Sequence, residues 1–145
     1  MPKEDLERDF PELSGKDYDL SPQDFNYNCL AFALGDVSNW WEPGRGSGHY
    51  WPPGFSHDVK VSTVEEIIKL HGYRAETGIG EKPNAEAIAI YAIDDEWTHF
   101  ARYSDGHWHS KLGEDHDVSR IELNDLAIGD YGSVCKILCR LKEKE

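Results

Sequence analysis

Apolar residues along the chain gather into a few runs, and their spacing changes character midway. The first run, Cys29 to Leu34, is apolar nearly all round, which predicts a short buried helix closed by Gly35. A second helix is predicted from Thr63 to about Leu70. Ser62 and Glu65 there have the spacing of a capping box, and Val64, Ile67 and Ile68 recur at helical intervals. After that the period shortens to two. AEAIAIYAI (85–93) is dense enough for an interior strand, and SVCKILCRL (133–141) reads as a last, mostly buried strand. THFARYS (98–104) and HWHSKL (107–112) flank Asp105-Gly106, a pair that tolerates the positive φ of a tight hairpin turn. A two-residue turn there opposes Tyr103 to Trp108, Ala101 to Ser110 and His99 to Leu112. Helices early and antiparallel strands late give an α+β class, N-terminal helices packed on an antiparallel sheet.

Two segments lack such periodicity. Residues 1–22 are polar and broken by Pro2, Pro11 and Pro22, so they are expected to form an arm leading into a single domain over 23–145. Residues 36–58 form a long loop rich in Trp, Gly, Pro and His, whose aromatic content predicts a packed flap rather than a disordered tract. Trp40, Trp41 and Trp51 are its candidate cleft-wall residues.

Charge narrows the partners. Twenty-eight acidic residues face 15 basic ones, a net −13. That balance repels phosphate backbones and anionic membrane surfaces, so neither nucleic acid nor membrane is an expected partner. MPKEDLERDF has no apolar signal core and no run of about 18 apolar residues occurs, which predicts a cytoplasmic protein. Three cysteines, Cys29, Cys135 and Cys139, are too few for a disulfide framework and are expected to be free thiols.

The chemistry centres on Cys29. A thiol at a helix N-terminus feels the positive end of the macrodipole, and the same helix end offers backbone N–H groups to a developing oxyanion. His99, opening a strand, is the candidate base. Ser110 lies diagonally across the predicted hairpin and is the best-placed residue to orient the imidazole. A three-residue turn places His109 on that face instead, and Asp117 is a third option. Asn26 and Asn28 suit a turn and helix cap. His107, His109 and His116, with Asp115 or Asp117, make a weak metal pattern without any zinc-type spacing, so neither metal nor cofactor is expected.

The order of cysteine, strand-opening histidine and polar residue on the next strand resembles the NlpC/P60, CHAP and wider papain-like hydrolases. A narrower likeness is to an uncharacterised bacterial family with blocks like NCLAFALGD…WW (28–41), YWP (50–52), AIAIYA (87–92), THFAR (98–102) and DGHWHSKLG (105–113). The papain-like resemblance implies Cys29 as nucleophile, His99 as base, Ser110 in the third position, and Asn28 with Tyr27 beside the oxyanion. Two departures stand out. Serine replaces the usual His, Asn or acidic group, and Arg120 stands where a histidine is expected. The leading expectation is therefore a cysteine hydrolase or acyltransferase acting on a peptide-like amide. The alternative is a catalytically inactive papain-like binding or immunity-type module whose acidic surface meets a basic protein.

Overall fold

The computed structural model describes residues 3–16, 18–20, 26–44, 49–75, 85–104, 106–112 and 117–141. In chain order the elements are α1 (Lys3–Asp9), β1 (Asp19–Leu20), α2 (Cys29–Ala33), α3 (Val61–Leu70), β2 (Ala85–Ile93), β3 (Glu96–Ser104), β4 (His107–Lys111), β5 (Asp117–Ile121) and β6 (Ser133–Leu141). Short 3-10 turns fall at Pro11–Leu13, Leu123–Asp125 and Gly129–Tyr131. The strands form one six-stranded sheet in the order β1-β5-β4-β3-β2-β6, every pair antiparallel. The α+β expectation holds. No helix among the described residues is long and apolar enough to cross a membrane.

Alternation along the strands builds two cores. On one face Ile88, Ile90 and Ala92 of β2, Trp97 and Phe100 of β3 and Leu138 of β6 pack against Leu30, Ala31 and Ala33 of α2 and Val61, Val64, Ile67 and Ile68 of α3. On the other, Ala89 and Tyr91 of β2, Ala101 of β3 and Val118 and Ile121 of β5 pack against Leu6, Leu13, Tyr18 and Leu126. Covered on both faces, β2 reads as a continuous apolar run. Each fully buried Leu or Ile contributes roughly 1.5–3 kcal/mol. The residues before 23 thus differ from the expected arm. Leu6, Leu13 and Tyr18 are buried, and β1 pairs with β5, because the second face of the sheet needs an apolar cover.

The β2–β3 register steps from Tyr91↔His99 to Ala92↔Trp97. Thr98 is therefore an extra residue, and the resulting bulge lets Trp97 and Phe100, three apart, share the helix face. Asp94 and Asp95 make the β2–β3 turn at φ 50° and 67°, a turn the sequence does not signal with glycine. At the next turn the β3–β4 ladder has Tyr103 opposite Trp108, as the Asp105-Gly106 pattern predicts; Asp105 itself lies outside the described residues.

Two predicted features change. Helix α3 starts at Val61, with Lys60 as its cap residue, so the expected Ser62–Glu65 box does not form. The Val61 N–H bonds to Asp95 O and its side chain is buried, which draws the helix start back toward the sheet. Glu65 instead meets Lys69 at 3.1 Å and Lys136 of β6 at 2.6 Å. Strand β6, expected to be mostly buried, is a sheet edge, with Cys135, Lys136 and Ile137 exposed.

Gly132 joins the last 3-10 turn to β6 at φ 71°. A Cβ there would lie 2.4 Å from the Ala92 carbonyl oxygen, which is backbone and cannot step aside. Gly132→Ala is expected to cost at least about 2 kcal/mol in urea unfolding, from combined strain and overpacking. A loss below about 0.5 kcal/mol would contradict this close approach.

Candidate functional site

Cys29 opens α2, which crosses β3 and β4. Asn28 caps the helix. Its Oδ1 accepts from the backbone N–H of Ala31 and of Trp41, each at 3.2 Å, and its Nδ2 donates to Trp41 O at 2.6 Å. The side chain thereby fastens the aromatic loop to the helix start, the capping role rather than that of an oxyanion donor. The Tyr27 hydroxyl donates to Asp117 Oδ2 at 2.9 Å, and the ammonium of buried Lys111 sits 5.0 Å from the centre of the Tyr27 ring. Burial pushes the Cys29 thiol up to about 11; backbone at Phe100 and Leu30 and the Lys111 charge pull the other way without offsetting it. A thiol held there is not a thiolate at neutral pH.

His99 is buried and pairs with Tyr91 across β2 and β3. Its ring stacks on Tyr131, with centroids 3.9 Å apart and planes 6° from parallel, and meets Tyr91 edge-on at 5.6 Å. His99 Nε2 is hydrogen-bonded to Ser110 Oγ, and Ser110 in turn donates to Phe100 O at 2.8 Å. A serine has one proton to give, so Nε2 must carry the hydrogen of the shared bond. This fixes a neutral Nε2–H tautomer, and burial lowers the ring to about 3.

Cys29 and His99 do not meet. The thiol belongs to the helix-face core with Phe100, whereas His99 packs on Tyr91 and Tyr131, which belong to the opposite core. Among the described residues no hydrogen bond joins them. The reason is strand geometry: consecutive side chains alternate, so with Phe100 turned to α2, His99 must turn away. The expected Cys–His pair is corrected on this ground. The expected His99–Ser110 contact is present, but it serves a buried ring. His109 bonds Ser104 O, and Asp117 serves Tyr27.

The remaining candidates fall out similarly. Trp41 and Trp51 are core residues of the helix face rather than walls of a cleft, while Trp40 is half-buried. His107 and His109 rings are 6.5 Å apart, and Asp115 and His116 lie outside the described residues. Arg120, the departure at an expected histidine, is exposed at φ 64° and faces Asp19 at 3.6 Å. One polar cluster escaped the sequence reading. Glu86 is buried on the helix face, held by Arg102 at 2.9 Å and Arg140 at 3.0 Å. Burial alone would raise its carboxyl; the two guanidinium bonds outweigh that and hold it low. A glutamate inside AEAIAI is itself the signal, since a buried carboxylate requires a cation.

A family model described as a domain of unknown function (DUF7689) matches residues 18–139. The chain belongs to that family. No curated protein and no solved structure matches it. The matched span runs from Tyr18 in the second core to Cys139 on β6, so it takes in β1 to β5 and most of β6.

The buried neutral ring generates a pH dependence. A folded pKa near 3 against about 6.5 unfolded means the unfolded chain binds more protons between those values. The His99 contribution is therefore complete above pH 6.5 and is lost as pH falls toward 3. Urea unfolding is expected to show wild type losing more stability than His99→Gln over pH 6.5 to 4.5, by up to about 1.4 kcal/mol per pH unit. Identical slopes would contradict a ring held neutral.

Proposed function

We propose that this chain is a non-catalytic binding module that engages a basic protein through its acidic surface. The observation that carries this reading is the placement of Cys29 and His99 on opposite faces of the sheet. A cysteine hydrolase needs its base within hydrogen-bond reach of the thiol. The thiol is also protonated and buried, and the imidazole donates to Ser110. With no route for proton transfer between them, the amide-hydrolase reading loses its mechanism. The net charge of −13 supports a basic protein partner and opposes nucleic acid. A helix opening at Cys29 and packed on an antiparallel sheet supports a papain-like scaffold, in which the reactive positions have become structural.

Iodoacetamide labelling at pH 7.5 followed by mass spectrometry tests the loss of chemistry. Exposed Cys135 is expected to be labelled in the folded protein, and Cys29 at least tenfold more slowly than free cysteine. Faster labelling of Cys29 than of free cysteine would return the hydrolase reading. The binding half predicts a salt-sensitive partner on purification from the native host. That partner should be retained by Cys29→Ala and lost when several surface carboxylates are reversed.

A further inference from the structure

One corner of this acidic chain carries an excess of positive charge. Tyr73 lies just past α3, Glu86 and Arg102 stand on β2 and β3, and Arg140 stands on β6 directly opposite Glu86. The Glu86 carboxylate gives one oxygen to each guanidinium, Oε2 to Arg102 at 2.9 Å and Oε1 to Arg140 at 3.0 Å. The Arg140 guanidinium carbon also lies 4.3 Å from the centre of the Tyr73 ring. Two cations thus share one anion, and among the described residues no second carboxylate meets either arginine. Arg74, beside Tyr73, adds a further cation whose guanidinium is held only by the Lys69 and Tyr73 carbonyl oxygens.

The hydrogen bonds are out of balance in the same direction. Tyr73 is 1% exposed and Arg102 Nε is buried, yet neither the Tyr73 hydroxyl nor that Nε–H has a partner among the described residues. A guanidinium offers only donors, so Arg102 and Arg140 cannot supply an anionic acceptor, and Glu86 is already divided between them. Burial raises the Tyr73 hydroxyl, which keeps it protonated and a donor at neutral pH, and it lies within the field of Arg140, Glu86 and Arg102. Buried donors without acceptors are costly and rare in native proteins. Water would satisfy the donors and leave the charge; an anionic acceptor answers both. The side chains of Arg102 and Arg140 are 25% and 31% exposed, so the cluster reaches solvent at its guanidinium end.

We propose that this corner, where Tyr73, Arg102 and Arg140 gather around Glu86, is a binding site for a small monocarboxylate, whose oxygens accept from the Arg102 Nε–H and the Tyr73 hydroxyl. One negative charge matches the buried excess. A planar carboxylate suits the guanidinium fork, whereas a tetrahedral dianion would overfill the charge and meet Glu86 at close range. The site asks nothing of the acidic-module reading and stands or falls apart from it.

The probe is acetate, titrated into 15N-labelled protein at pH 6.5 with chloride holding the ionic strength constant. Wild type is expected to show a saturable shift of the Arg102 Nε–H resonance with a Kd below about 10 mM. In thermal unfolding, 100 mM acetate is expected to raise the melting temperature over chloride by at least about 2 °C. Tyr73→Phe removes a hydroxyl that no described residue bonds, so the fold is kept, and acetate affinity should fall at least threefold. Arg102→Lys keeps the charge but loses the Nε–H and the fork, and should weaken binding at least tenfold; should that variant fail to fold, Tyr73→Phe carries the test alone. No saturable shift, with equal melting temperatures in acetate and chloride, overturns the site and leaves its donors to water. Acetate binding to Tyr73→Phe as tight as to wild type overturns the place given to the phenol. Phosphate binding more tightly than acetate at equal ionic strength overturns the carboxylate class.

Discussion

Strand alternation at a single place, Phe100 beside His99, organises this molecule. Phe100 fills the core under α2, so the imidazole next to it is committed to the far face. There it stacks on Tyr131, meets Tyr91 and donates a hydrogen bond to Ser110. The bulge at Thr98 reinforces the arrangement by turning Trp97 to the helix face as well. A thiol at the start of α2 and an imidazole on β3 are thus near in sequence logic and apart in space. No rotamer change brings an interior β3 side chain through the sheet.

The polar groups that a hydrolase would spend on catalysis are here spent on burial. The Nε2–H, the Ser110 hydroxyl and the Phe100 carbonyl form a closed chain of donors and acceptors, which is what a buried polar group requires. Asn28 ties the aromatic loop to α2, and Tyr27 ties α2 to Asp117 at the start of β5. Glu86 lies between two guanidinium groups under the far end of the same face. The proposed binding role asks for no proton transfer between Cys29 and His99.

Much of this fold was legible in the sequence. The dense run 85–93, the Asp105-Gly106 turn and the Gly35 stop each carry a local cause, and β2, the β3–β4 register and the end of α2 follow them. The two-residue turn also placed Ser110 beside His99. What was not legible depends on tertiary partners. Leu6, Leu13 and Tyr18 are too sparse to signal a core layer, yet the second sheet face draws them in. The Ser62 box matched a pattern, but the bond from Val61 to Asp95 set the helix start. The two short strands β1 and β5 have no apolar run of their own, and the edge position of β6 is a matter of topology alone. The Cys–His expectation failed on a point the sequence did contain. Period two made Phe100 and His99 face opposite ways, and the helix was bound to choose the apolar one.

The separation of Cys29 from His99 is tested most directly by nuclear Overhauser contacts in isotope-labelled protein. The His99 ring protons should show contacts to the Tyr91 and Tyr131 rings and to the Ser110 β protons, and none to the Cys29 β protons. A contact between the His99 ring and the Cys29 β protons would contradict the account and restore a catalytic pair.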